Sequence, residues 1–312
     1  MASYALIAAV KNEGPFLVEW VAYHRLIGFD HIVLYAQEGA DNAGPLLQAL
    51  ADAGEITLHD NPDGVQGMPP DPRIRAYARA LPQLRRCDWV MALDVDEYLN
   101  IAVGDGTLDD LVGEAEDAAL ISLTWRIFGS NGETDFTDAP LLPRFLGAAP
   151  KGAPRAHRHK GIKTLLRPTP KIAQIMPHRP RLADEVKAGS DPLDWISGGG
   201  ADVGDSLREN GWTLPGRAPA YDLGQINKYP IRSRDAFCLT NIWDDTWRRH
   251  APAKLEDYPS FDANDERDLS ILRWDDAVTE RVGILMDDAA IAAGHGATVA
   301  AYGAAIKRMN AS

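Results

Sequence analysis

Apolar and polar positions along the first hundred residues follow two alternating rhythms. Residues 5–10 are continuously apolar, as in a strand covered on both faces. Pro15 then opens a helical pattern in which Phe16, Trp20, Tyr23 and Ile27 recur at steps of three and four, and Gly28 closes it. The same alternation predicts a strand at 31–35, a helix at 45–53 closed by Gly54, and a strand at 55–59. A Pro/Gly-rich loop follows at 61–72. Residues 74–86 predict a helix that Pro82 should kink, and 89–93 a fourth strand. Strands alternating with helices at this spacing predict an α/β fold, a mostly parallel central sheet with helices on both faces.

After Tyr98 the rhythm changes. Thr107 and Asp110 have capping-box spacing for a helix over 107–118, and 120–125 and 161–167 predict strands. Residues 187–220 are rich in Gly, Pro and Asp and carry little periodicity, while 231–249 and 275–309 predict helices. The expected division is an α/β domain over 1–230 and a helical C-terminal extension over 231–312 packed on it.

Composition narrows the function. With 45% hydrophobic and 25% charged residues the chain is of ordinary globular type. A net charge of −13 makes nucleic acid an unfavourable partner. Cys87 and Cys238 have neither zinc-ligand nor disulfide-framework spacing, so the expected location is a reducing cytoplasm. No apolar run reaches the ~20 residues of a spanning helix, which leaves only peripheral membrane contact. Against the acidic background, residues 151–181 carry nine Lys/Arg and no acid. Such a strip is either an anion site or a solvated face.

The sharpest feature is Trp89-Val90-Met91-Ala92-Leu93 running into Asp94-Val95-Asp96-Glu97. In an extended backbone Asp94 and Asp96 project to the same side. They would sit at the C-terminal end of a parallel strand, where open α/β sheets place ligands. Two close carboxylates repel, and a hard cation such as Mg²⁺ or Mn²⁺ relieves them.

These residues and several ordered motifs resemble a family 2-type bacterial glycosyltransferase of the nucleotide-sugar-binding GT-A fold. The motifs are Lys11-Asn12-Glu13-Gly14-Pro15-Phe16, Glu19 to His24, Asp41-Asn42-Ala43-Gly44, Asp94-Val95-Asp96-Glu97 and Trp125-Arg126-Ile127-Phe128-Gly129, with Arg208 to Trp212 and Trp247 to His250 later on. The resemblance implies metal-assisted, inverting sugar transfer from a nucleotide-sugar donor to a saccharide or related acceptor. By it, Lys11, Asn12, Glu13 and Asp41 hold the nucleoside. Asp96, with Asp94, takes Mn²⁺ or Mg²⁺, and Asp94 also reaches the ribose. His178 is a candidate third metal ligand. Lys163 lies in a strand lysine motif and reaches phosphate, as could Arg75.

For the base that takes the acceptor proton, Glu209 is preferred, with Asp135, Asp138 and Asp244 as competitors. Trp125, Trp212 and Trp247 are candidate sugar-stacking faces. One departure stands out: Asn227-Lys228-Tyr229 occupies the place of an N-H-Y triplet. An ammonium donates hydrogen bonds and does not ligate, so Lys228 would lie against phosphate instead. Two alternatives remain: a degenerate sugar-nucleotide-binding protein without turnover, or a D-x-D phosphatase. Glu97-Tyr98 after the second acid and the motif's position on a fourth strand speak against the phosphatase.

Overall fold

The computed structural model describes residues 2–61, 71–115, 117–151, 161–187, 193–203, 207–208, 211–213, 220–243 and 258–311. Four strands open the fold: β1 (Tyr4–Val10), β2 (His31–Ala36), β3 (Thr57–Asp60) and β4 (Trp89–Ala92). They are separated by α1 (Leu17–Leu26), α2 (Gly44–Asp52) and α3 (Pro72–Leu84). All four pair in parallel, in the order β3-β2-β1-β4. Every residue of β1 and β4 is buried, as expected for strands covered on both faces. Tyr4, Leu6, Ala8 and Val10 pack with α1 and α2, and Ala5, Ile7 and Ala9 pack with α3, so helices do lie on both faces. The helix α3 starts on Asp71, whose side chain accepts from Arg73 N, and runs two residues past Pro82.

The second half of the sheet is mixed. It comprises β5 (Glu97–Ile101), β6 (Leu120–Ile127), β7 (Ile162–Leu166), β8 (Trp195–Ser197) and β9 (Gly224–Lys228). The order continues β4-β7-β6-β9-β5, with β8 beside β6. The β4–β7, β7–β6 and β9–β5 pairs are antiparallel, whereas β6 runs parallel to β8 and β9. Only the turn Asp94–Glu97 joins β4 to β5, yet three strands stand between them. Four strand spacings of ~4.8 Å exceed what a tight turn spans. The sheet therefore curls, and the acid turn bridges β4 to the edge strand β5.

Between β5 and β6, α4 (Leu108–Glu114) begins on the expected box: Asp110 N donates to Thr107 Oγ1 at 3.3 Å and Thr107 N to Asp110 Oδ2 at 3.0 Å. It ends four residues before the sequence pattern does. At the C-terminal end, α5 (Arg234–Trp243) starts later than 231 because Ser233 caps it, its Oγ accepting from Ala236 N. The expected helix over 275–309 is two helices, α6 (Asp275–Met286) and α7 (Ala289–Asn310). Asp288 caps the second by accepting from Ala290 N and Ile291 N.

By length and composition α7 is apolar enough to cross a membrane, a property its scattered Gly and Ala hide in the sequence. It is nonetheless seated on the fold: Ile291, Tyr302 and Ile306 are buried, and α7 lies on α2 and on the turn after β1. A Cβ at Gly294 would stand 2.7 Å from Leu46 Cα. We expect Gly294→Leu to lower stability by about 1–3 kcal/mol through overpacking. An unchanged thermal midpoint would mean that α7 does not bear on α2.

Candidate active site

Asp94–Glu97, just after β4, form a tight turn, not an extended strand. Glu97 N donates to Asp94 O at 3.0 Å, and Asp94 N donates back to Glu97 Oε2 at 2.8 Å. Turn geometry, not strand pleat, therefore brings the acids together. One carboxylate oxygen each from Asp94, Asp96 and Glu97 lies within 4.8 Å of the others. From behind, α1 braces the turn, with Trp20 Nε1 donating to Glu97 O at 2.9 Å and Tyr23 Oη to Leu99 O at 2.7 Å.

Two lysines close on these acids, each delivered by strand register. In β7, Leu166 faces Val90 and Leu165 faces Met91, which carries Lys163 toward the end of β4. Its fully buried ammonium lies 2.7 Å from Glu97 Oε2 and 3.3 Å from Asp94 Oδ2. In β9, Lys228 stands directly opposite Glu97 in the antiparallel ladder. Its Nζ lies 2.9 and 3.0 Å from the two Asp96 oxygens and 3.1 Å from Glu97 Oε1. The same ammonium sits 4.8 Å from the centroid of the Trp125 ring.

Arg73 completes the set, 3.8 Å from Asp94 and held by Asp71 at 3.0 Å. Arg75, two residues further along α3, is buried. Burial pushes the Asp94 carboxyl up, but Lys163, Arg73 and Lys228 outweigh it and hold it below the usual carboxylate range. Burial likewise opposes charge on Lys228, and Asp96 and Glu97 more than restore it.

The loops after β1 and β2 lie at the same end of the parallel strands and interlock. Asn12, at φ +59°, accepts from Ala40 N at 2.6 Å, and Asp41 Oδ2 accepts from Gly14 N at 2.7 Å. Glu13 pairs with the buried Arg232 at 2.7 Å, and Lys11 is half-buried beside them. The structure thus gathers Lys11, Asn12, Glu13 and Asp41 on one rim, with the acid turn following β4, the strand beside β1.

His178 stands outside the acid cluster. Its ring lies 5.3 Å from Trp125 and 5.5 Å from Trp212. Its Nδ1 is 3.1 Å from Ile162 O, which only accepts, so Nδ1 carries the proton and Nε2 keeps its lone pair. Burial, and then Lys163, lower its pKa to about 3, so the ring is neutral at pH 7. Beside it, residues 176–181 with Gly211 and Trp212 line a cavity of about 220 Å³.

Residues 10–185 match the sequence profile of glycosyltransferase family 92. The chain belongs to glycosyltransferase family 92. A family 92 protein of Ricinus communis is 28% identical over 127 residues, which is 39% of this chain and 22% of the relative. The chain therefore spans under a quarter of that relative's length. Among solved structures, S. aureus TarS 1–349 is 12% identical over 99% of this chain and 91% of its own, with a TM-score of 0.34. Another TarS structure is 14% identical over 53% of this chain and 28% of its own, with a TM-score of 0.32. The family match covers the acid turn, Lys163 and His178, whereas Lys228 lies beyond it.

The remaining expected residues of this family 92 chain fall in three groups. Glu209, Asp244 and Trp247 lie outside the described residues. Asp138 pairs with His295 of α7 at 2.9 Å, and Asp135 accepts from Thr134 Oγ1. The basic strip does not form one face where it is described: Lys163 points into the acids, Arg167 stacks on Trp89 at 4.3 Å, and Arg181 is exposed. Glu97 and Arg73 were not expected as site residues. Their signal was Glu97's place in the acid run and a second arginine in Pro72-Arg73-Ile74-Arg75.

Mg²⁺ or Mn²⁺ favours oxygen donors, and three carboxylates supply them. Here both Asp96 oxygens, both Glu97 oxygens and Asp94 Oδ2 already face ammonium groups. As they stand, the residues do not fit a resident divalent ion.

Proposed function

We propose that this chain transfers a sugar from a nucleotide-sugar donor to a saccharide or related acceptor, on a fold of the GT-A type and with inversion. The observation that carries the reading is the Asp94–Glu97 turn with Lys163 and Lys228, set at the C-terminal end of the parallel strands. The interlocked loops of Asn12, Glu13 and Asp41 offer carboxylate and amide groups for a nucleoside. Lys228 and Arg73 offer positive charge where a leaving diphosphate gathers negative charge. The clustered Trp125, His178 and Trp212 rings supply faces on which an acceptor sugar packs. In this reading Glu209 is the base that takes the acceptor proton.

A thermal-shift panel of UDP-, GDP-, CMP- and dTDP-sugars, with and without Mn²⁺, tests it. Ligand at about 100 times its dissociation constant adds about 2.7 kcal/mol, a shift of several degrees. The expected result is stabilisation by sugars of one nucleotide class and slow release of the nucleotide: the nucleoside diphosphate from UDP-, GDP- and dTDP-sugars, CMP from CMP-sugars. No shift with any donor and no release would overturn the reading. Stabilisation without release would favour the second reading, donor binding without turnover, which the self-neutralised acids suggest.

A further inference from the structure

The acid turn carries its own counter-cations, and they face most of the oxygens a metal would use. A magnesium ion needs carboxylate oxygens at ~2.0–2.1 Å. Lys228 Nζ already lies 2.9 and 3.0 Å from both oxygens of Asp96 and 3.1 Å from Glu97 Oε1. An ion on those oxygens would sit within a few ångströms of an ammonium, and like charges that close repel strongly outside bulk water. Lys228 is also fixed from several sides. Its backbone O accepts from Phe128 N at 2.9 Å, the ladder sets it opposite Glu97, and the Trp125 ring lies under its ammonium. Its departure would leave Asp96 and the fully buried Glu97 short of a counter-charge. Three carboxylates face Lys163, Lys228 and Arg73, and Arg73 is shared with Asp71, so three cations already offset all but one of four formal negative charges without an ion.

We propose that the Lys228 ammonium is the resident cation of this site, standing between Asp96 and Glu97 where a divalent metal would otherwise bind. Lys163 cannot take that part because its side chain is wholly buried, whereas 14% of the Lys228 side chain is exposed to an incoming ligand. Given the donor reading above, on which only this step rests, Lys228 is the group that meets the donor diphosphate and neutralises it as the sugar leaves.

The test is Mn²⁺ alone, titrated into the full chain and followed by electron paramagnetic resonance, with no nucleotide present. The parent protein should hold no Mn²⁺ at the acid turn at micromolar concentrations. Lys228→Met removes the charge and keeps the stem, and should gain Mn²⁺ affinity by at least about tenfold. Adding Asp96→Asn to that variant should abolish the gain. Lys228→Gln serves the same purpose if the methionine variant melts early. Micromolar Mn²⁺ binding by the parent that Asp96→Asn removes would overturn the proposal, and so would folded Lys228 variants that gain nothing. A second arm measures the nucleotide selected in the donor panel in EDTA, where the parent should bind it undiminished and Lys228→Met should lose affinity. Chelator-sensitive binding by the parent overturns the proposal. Failure of every nucleotide instead removes the donor reading and leaves the Mn²⁺ result standing.

Discussion

Lys163→Met is expected to lower the unfolding free energy by about 3–5 kcal/mol near pH 8, because it strips a buried ion pair of one partner. The ammonium it removes is fully buried and touches Glu97 at 2.7 Å and Asp94 at 3.3 Å. Methionine fills much of the volume but returns no hydrogen bond. The loss should shrink as pH falls. Burial already raises the Glu97 pKa in the parent, against the pull of Lys163 and Lys228, and it rises further without Lys163. A carboxyl whose pKa is higher folded than unfolded binds its proton first in the folded state. Stability governed by that group therefore grows as pH drops through the folded pKa. Urea midpoints at pH 8 and at about pH 5.5 check both parts. A loss under about 1 kcal/mol at pH 8, or an equal loss at both, would show that the pair does not bear on the fold.

Asp96→Asn is expected to reduce turnover by about 10²–10³-fold while the thermal midpoint stays near that of the parent, in line with losing one preorganised electrostatic contact. The turn itself is held by backbone: Glu97 N donates to Asp94 O, and Tyr229 N to Asp96 O at 2.8 Å. Only the carboxylate that aims Lys228 is lost. On the proposed donor reading the effect should fall on kcat more than on KM, because Lys228 keeps its charge and strand position but is no longer aimed. Asp96→Glu should recover part of it. Full turnover in Asp96→Asn would remove the acid turn from the chemistry.

The sequence made the parallel half of the sheet legible because strands buried on both faces are written in unbroken apolar runs, as in Tyr4–Val10 and Trp89–Ala92. It also singled out Asp94 and Asp96, though it placed them by strand pleat where a turn does so. It did not reveal Gly224–Lys228 as a strand. That segment reads Gly-Gln-Ile-Asn-Lys, with one large apolar side chain in five. Its amide nitrogens find partners inside the fold: Gln225 Nε2 donates to Asp268 at 2.8 Å and to Asn227 at 2.7 Å, and Asn227 Nδ2 donates to Tyr229 Oη at 3.1 Å. A strand stabilised by a buried polar network carries no hydrophobic period to read. The partnership of Lys228 with Asp96 and Glu97 was hidden for the same reason. Arg126 is a parallel case. Its guanidinium meets Asp268 at 2.5 Å and Glu266 at 2.8 Å, partners some 140 residues on that no local pattern announces.

The position of β9 between β5 and β6 bears on how the chain emerges from the ribosome. Both flanking strands are made well before Gly224, and at usual elongation rates the wait is on the order of 5–20 s. During that time the edge of Leu120–Ile127 that β9 will later cover is exposed, in a strand whose eight residues are all buried in the finished protein. The half-made chain is therefore the aggregation-prone species, and soluble yield should depend on growth temperature and chaperone supply more than on the stability of the mature fold. Gene fragments that stop before Gly224 should collect in inclusion bodies even though they encode the whole parallel half of the sheet.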